Sequence, residues 1–385
     1  EGGESSKNYW LAKALGSRDH EVHVVTNAWE VESDYREHFE VGDLDYYQPS
    51  NVVVHNTNPF DDPWYIPYTR PDIAKLASYA IEVVRRYNLQ LIDSRYVLPY
   101  AIAGFLAKAV TGRPQILHHA GSDISRLFAS SYLNTIFSEI FRRVDQIVTH
   151  PSIKQGFLNL DIPEDKIFLD IKVSVDTNSF NPGAKPANLS KYTSRSIKGL
   201  PVITYIGKVG ATKGIFELVE ALGQIREDFV LLFVSQGRGI GRLKDTVAKN
   251  NLTEKTVFLS FVPPWRIPSI IKASTCVVHP ERDFPVLGHQ PILPREVLAV
   301  GTCLMLSKEL YEKYAWSGLR EGKHCLVVNP KDIRKFRRKL KKIIKNPGFA
   351  RKMGQEGHKL SEKIEDFEGY VGEVEKLYRK VLGKK

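Results

Sequence analysis

Cysteine and methionine are scarce in this 385-residue chain, at three and two residues. Cys276, Cys303 and Cys325 share no close spacing, so neither a disulfide framework nor a zinc site is supported. The thiols are expected reduced, inside a core. Long apolar runs are also missing. A membrane-spanning helix needs about 18 uncharged apolar residues in succession, and the longest candidate, Val97 to Val110, is short and carries Lys108. With 42% apolar and 26% charged residues the composition is that of a globular chain, which excludes integral-membrane, collagen-like and disordered classes. At roughly 150 residues per domain, the length points to two or three domains.

Methionine is absent from the first position, and the chain opens on Glu1-Gly2-Gly3-Glu4. A glycine pair leading into a helix ordinarily follows a strand. None stands ahead of this pair, so a short first strand is expected to be missing, and the lack of a targeting signal decides nothing.

Neither sign of charge is evenly spread. Residues 1–200 hold 21 Lys and Arg against 24 Asp and Glu, a net of −3; residues 201–385 hold 34 against 20, a net of +14. A sign change of this size between halves implies two domains with different partners. Much of the excess lies in KDIRKFRRKLKKIIK, residues 331–345, where Ile333, Phe336, Leu340 and Ile344 recur at helical spacing. The basic residues are thus the outer face of an amphipathic helix, either simply solvated or available to an anionic membrane face. No zinc-finger spacing or RNA-binding aromatic signature favours nucleic acid as the partner.

Short β-branched runs alternate with helical patterns along the whole chain, the signature of βαβ units around parallel sheets. In the first half these runs are Glu21–Thr26, Val52–Asn56, Leu89–Asp93, Gln115–His118, Gln146–His150 and Ile167–Val173. Those of the second half are Val202–Ile206, Val230–Ser235, Val257–Phe261, Thr275–His279, Cys303–Ser307 and Cys325–Val328. Between the halves, Asn181 to Leu200 is polar, carries Pro182, Gly183, Pro186 and Gly199, and has no apolar period, which sets a linker at 183–200. Two doubly wound α/β domains follow, 1–182 and 201–365, with ligands expected at the carboxyl ends of their strands.

Three segments carry candidate chemistry. In Tyr205-Ile206-Gly207-Lys208-Val209-Gly210-Ala211-Thr212-Lys213-Gly214 a strand ends at Gly207 and a helix starts near Gly214. Two lysines at a strand end, beside a helix N-terminus, suit a diphosphate; they also suit a plain solvent-facing loop. In Gln290 to Thr302 a proline-rich loop opens a helix with Glu296 in its first turn and Gly301 at its end. Glu296 is placed either to accept hydrogen bonds from a ribose diol or to complement the helix dipole. Backbone N–H groups from Gly288 to Gln290 are positioned to cradle phosphate oxygens. In Leu117-His118-His119-Ala120-Gly121-Ser122-Asp123 a strand end leads into a tight turn; a lone histidine there is more often structural, but the strand-end turn makes His119, with Asp123 beside it, the catalytic candidate of the first half. Gly237-Arg238-Gly239-Ile240-Gly241-Arg242 imitates a dinucleotide fingerprint, but Arg242 stands where the third glycine belongs, so a dehydrogenase is set aside.

Taken together, these segments resemble the nucleotide-sugar-dependent retaining glycosyltransferases often called family 4. The likeness runs from Gly2-Gly3 and HEVHVVT, through Ile92-Asp93-Ser94-Arg95-Tyr96 with Leu98-Pro99 and Val175-Asp176-Thr177 with Phe180 and Pro182, to the final segment Phe367 to Leu382. It implies the GT-B arrangement, two Rossmann-like doubly wound domains facing a cleft, with residues 366–385 a helix crossing back to the first domain. The donor domain would be the second and the acceptor domain the first. On this resemblance Lys208, where the family has Arg, and Lys213 neutralise the donor diphosphate, and Glu296 holds the ribose. Gly3 approaches the leaving phosphate, and His119 contacts the transferred sugar. The family's first glutamate falls at Gly288 here, which leaves Glu281 or Asp283 as the nearest carboxylates, with His289 lining the same space. No metal or cofactor is implied beyond the nucleotide-sugar donor. The acceptor would be a sugar, polysaccharide or lipid-linked hydroxyl, met in the cytoplasm or at the inner face of a membrane. A non-catalytic nucleotide- or sugar-binding relative and an epimerase or phosphorylase of the same architecture are the alternatives.

Overall fold

The computed structural model describes residues 3–31, 43–58, 71–121, 123–124, 127, 129–169, 171–237, 239–260, 262–285 and 289–383. The chain divides into two compact α/β units. The second-half unit takes in Ser174–Phe367 with the first residues through Tyr9; the first-half unit takes in Trp10–Arg36, Glu40–Val173 and Glu368–Lys385.

Among the described residues, twelve strands form where the apolar runs stand. β1 (Val22–Thr26) pairs in parallel with β2 (Val52–Asn56). A separate sheet runs in the order of β3 (Ile92–Arg95), β4 (Gln115–His118), β5 (Gln146–Thr149) and β6 (Ile167–Leu169). The third strand starts three residues later than its sequence suggests. Leu89 is spent on the end of the helix Asp72–Arg86, its N–H donating to the Val84 carbonyl after Asn88 turns left-handed, and Ile92 is the first to reach Pro114. Beneath β4 and β5, Leu117, Phe137, Phe141, Ile147 and Phe157 form the core.

In the second-half unit six parallel strands form one sheet: β7 (Val202–Ile206), β8 (Val230–Val234), β9 (Thr256–Leu259), β10 (Cys276–His279), β11 (Cys303–Ser307) and β12 (Leu326–Val328). Their spatial order is β12-β11-β10-β7-β8-β9. β7, β8 and β11 are buried at every position, which is why they read as unbroken apolar runs rather than alternating ones. The order reverses between β7 and β10, a topological switch point of the kind that opens a crevice at the carboxyl ends of the strands. The basic helix Ile333–Lys345 sinks Phe336, Leu340, Ile343 and Ile344 into the core and turns its lysines and arginines outward. Residues 183–200, expected as linker, carry a 3-10 turn at Leu189–Tyr192 with Leu189 buried, and Arg195 donates to the Phe229 and Glu254 carbonyls. Cys276, Cys303 and Cys325 are free and buried. Among the described residues no helix is long and apolar enough to cross a membrane.

Candidate functional site

At the end of β7 the chain passes through a 3-10 turn, Ala211–Lys213, before the helix Ile215–Gly223. Gly214 makes the next contact possible. Its φ is +65°, and a Cβ there would lie 2.1 Å from the Pro280 carbonyl oxygen, so only glycine lets this loop lie against the end of β10. The Arg282 N–H donates to the Thr212 carbonyl at 2.7 Å and closes the two loops on each other. Lys213 Nζ thereby donates to Glu281 Oε2, a carboxylate only 1% exposed. The same ammonium sits 4.3 Å from the centre of the Phe284 ring, which stacks on His289 at 4.3 Å. Burial opposes ionisation of Glu281, but His289 and Lys213 outweigh it and hold the carboxyl down at about 2. Lys208 is exposed and has no ion-pair partner among the described residues; Tyr205 Oη donates to its carbonyl at 2.8 Å.

Polar atoms without partners gather at these strand ends. Ser235 Oγ, just past β8, is buried and unbonded, as are both ring nitrogens of His279 at the end of β10. Glu281 Oε1 has only His289 Nε2 at 3.5 Å, too long for a good hydrogen bond. Burial lowers His279 to about 4, so its imidazole is neutral near pH 7. Buried polar groups are nearly always satisfied, and β8 and β10 flank β7 at the switch point. These four atoms have no hydrogen-bond partner among the described residues.

The helix Leu293–Val300 starts with Pro294 in its first turn and ends at Gly301 in the left-handed region. Glu296 is 5% exposed, and Ser6 Oγ donates to its Oε1 at 3.4 Å. Burial raises its carboxyl to about 7. The neighbouring Arg295 donates from Nε to Glu365 Oε1 at 2.6 Å, and Glu365 also accepts from Ser174 Oγ and the Val175 N–H, both at 2.9 Å. Gln290 anchors the loop: its Nε2 donates to the Lys313 carbonyl at 2.9 Å, and Trp316 Nε1 donates to its Oε1 at 3.2 Å. Gly288 lies outside the described residues. Gly3 is the first residue of the helix Gly3–Ser17.

His119 and Asp123 belong to the first-half unit. His119 Nδ1 accepts from the Gly121 N–H at 3.1 Å, so Nε2 carries the proton and donates to Thr149 Oγ1 at 2.7 Å. Asp123 accepts from the N–H groups of Ala120, Ile124 and Val97 at 2.9, 2.8 and 3.2 Å. That carboxylate is a brace for the turn that presents His119. Sequence reasoning gave no role to Ser235, His279 and Phe284, whose only signal is a polar or aromatic side chain at or after the end of a strand. Asp93, part of the strand-end signature but given no role from the sequence, takes hydrogen bonds from Arg95 and Tyr378 on its carboxylate and pairs with His118.

Two family models match end to end: Glycosyltransferase Family 4 over residues 8–169 and Glycosyl transferases group 1 over residues 191–360. The chain belongs to the group 1, family 4 glycosyltransferases. It is 27% identical over 275 residues to the N-acetyl-alpha-D-glucosaminyl L-malate synthase of Bacillus anthracis, covering 67% of this chain and 65% of that one. Over 174 residues it is 26% identical to the 2-deoxystreptamine glucosyltransferase of Streptomyces kanamyceticus, covering 43% and 42%. The matches thus span less than two thirds of those relatives' lengths. Among solved structures, Anabaena HepE in complex with UDP-glucose superposes with a TM-score of 0.69 at 14% identity, covering 99% of this chain and 96% of that one. At that identity the likeness shows the fold, which is the two-unit parallel α/β class read from the sequence.

Proposed function

We propose that this family member transfers a sugar from a nucleotide-diphosphate donor to a hydroxyl acceptor, with retention and without a metal. The observation that carries the reading is the set of buried polar atoms on Ser235, His279 and Glu281 that have no hydrogen-bond partner among the described residues. The second-half unit holds the nucleotide. Glu296 accepts from the ribose hydroxyls, and Lys208 with Lys213 stabilises charge on the leaving diphosphate, the electrostatic part of catalysis. Gly3 contributes its backbone at the leaving phosphate. His119, in the tautomer that Gly121 and Thr149 fix, contacts the transferred sugar, and Asp123 positions it. The donor phosphate assists the incoming hydroxyl on the face that the leaving group vacates, so the protein's task is alignment.

HepE was crystallised with UDP and with UDP-glucose, and one curated relative is named a glucosyltransferase. The first supports uridine nucleotides, and the second glucose, as the first donors to test. The acceptor is a sugar, polysaccharide or lipid-linked alcohol on the cytoplasmic side, and the outward face of Ile333–Lys345 is available to an anionic membrane. A thermal-shift panel of UDP, GDP, ADP and their sugar conjugates tests the reading, because a ligand bound only to the folded state raises the melting temperature. Stabilisation by one nucleotide family supports the donor site; no shift at millimolar ligand refutes it and leaves a degenerate binding relative.

A further inference from the structure

The two lysines offered to the diphosphate stand in different electrical states. Lys208 is exposed and unpaired among the described residues. Lys213 already has its counter-charge, because its Nζ donates to Glu281 Oε2 from a carboxylate buried to 1% exposure. The Phe284 ring packs against that pair, with its centre 4.3 Å from Lys213 Nζ and stacked on His289. Arg282 adds no free charge, since its guanidinium is bound to Glu217 and Asp283. An incoming diphosphate therefore meets the net charge of one lysine rather than two.

We propose that Glu281 is a resident counter-ion that loosens this site's hold on free nucleoside diphosphate, the product of transfer, and so sets the rate at which product leaves. The proposal rests on the donor-site reading above and adds the partition between donor and product. A sugar nucleotide has both phosphates esterified. The released nucleoside diphosphate exposes a terminal phosphate that gains a further negative charge with a pKa of about 6. Screening Lys213 costs the more highly charged species more, because the interaction scales with the product of charges. The site thus discriminates against its own product without giving up the donor. Glu281 is a positioning and screening residue here, and it need not touch the sugar.

The test is calorimetric titration of UDP, GDP, ADP, their sugar conjugates and inorganic pyrophosphate into wild type, Glu281→Gln and Glu281→Asp, at low and moderate salt. Glu281→Gln keeps size and removes charge. It should bind the cognate nucleoside diphosphate at least about tenfold more tightly (1.4 kcal/mol), gain less for the sugar conjugate, and show a steeper salt dependence. Glu281→Asp keeps the charge and should behave as wild type. Unchanged or weaker nucleoside diphosphate binding by Glu281→Gln overturns the proposal, as does a loss confined to sugar conjugates, which would put Glu281 on the sugar. Should Glu281→Gln melt too low to titrate, Lys213→Met and the double variant Glu281→Gln/Lys213→Met decide. The proposal requires the double variant, relieved of the bared carboxylate, to bind nucleoside diphosphate more tightly than Lys213→Met, and equal affinities refute it. Binding of no nucleotide and no pyrophosphate by any of these proteins refutes the donor-site reading itself. Binding that is equal across the Glu281 variants refutes only the counter-ion.

Discussion

Glu296 should make the protein less stable as pH rises, and by an amount the structure sets. Its carboxyl is 5% exposed, its hydrogen bond from Ser6 is a long 3.4 Å, and the adjacent Arg295 is committed to Glu365. Burial lifts it from 4.5 to about 7, against weaker opposition from Ser6, Lys7 and Arg295. A carboxyl raised in the folded state contributes stability that is complete below pH 4.5 and is lost as pH climbs through about 7. At 1.36 kcal/mol per pH unit, that interval is worth on the order of 3 kcal/mol. Glu296→Gln cannot ionise. It should match wild type at pH 4.5 to within about 0.5 kcal/mol and exceed it by up to about 3 kcal/mol at pH 8.5. For a unit of this size the gain is a rise in melting temperature of roughly 6–12 °C. Urea and thermal melts at the two pH values measure it. A difference between the two proteins that does not change with pH would sink the reasoning. On the proposed ribose role, the stabilised variant loses nucleotide affinity, an exchange of function for stability.

Glu365→Ala should cost about 3–5 kcal/mol, because it removes the carboxylate that the buried Arg295 guanidinium, the Ser174 hydroxyl and the Val175 N–H all bond; a urea midpoint close to wild type would refute this. His119→Ala should lower turnover by roughly tenfold or more (about 1.4 kcal/mol of transition-state stabilisation) while leaving donor affinity nearly unchanged. A full rate in that variant would make the ring a structural partner of Thr149 and Phe157.

The strands were legible in the sequence because fully buried parallel strands are nearly continuous apolar runs. The residues that missed their boundaries are those where a local hydrogen bond outbid the pattern, as at Leu89, which finishes a helix instead of starting β3. Lys208, Lys213 and Glu296 could be picked out because their spacing from glycines fixes where a strand ends and a helix begins. The pairing of Lys213 with Glu281 could not be read this way. The two residues are 68 positions apart, and what joins them is the absence of a Cβ at Gly214 against the Pro280 carbonyl. Asp123 was legible as a strand-end carboxylate but not as a brace, since its bonds go to backbone groups that carry no signature. His279 and Ser235 were passed over because a lone polar side chain after a strand looks the same whether or not it finds a partner.

The first-half unit is not one continuous stretch of chain. Its last helix, Phe367–Val381, buries Val371, Val374 and Leu377, and Tyr378 reaches Asp93 on β3. During synthesis that unit must therefore wait for the residues from Glu368 onward, after the entire second-half sheet has emerged. A ribosome halted anywhere in the second half leaves Asp93 with Arg95 and His118 but no tyrosine, and the grooves meant for Val371, Val374 and Leu377 open to water. Completion of the first unit is thus a late event, timed by the arrival of Glu368 and the residues that follow it.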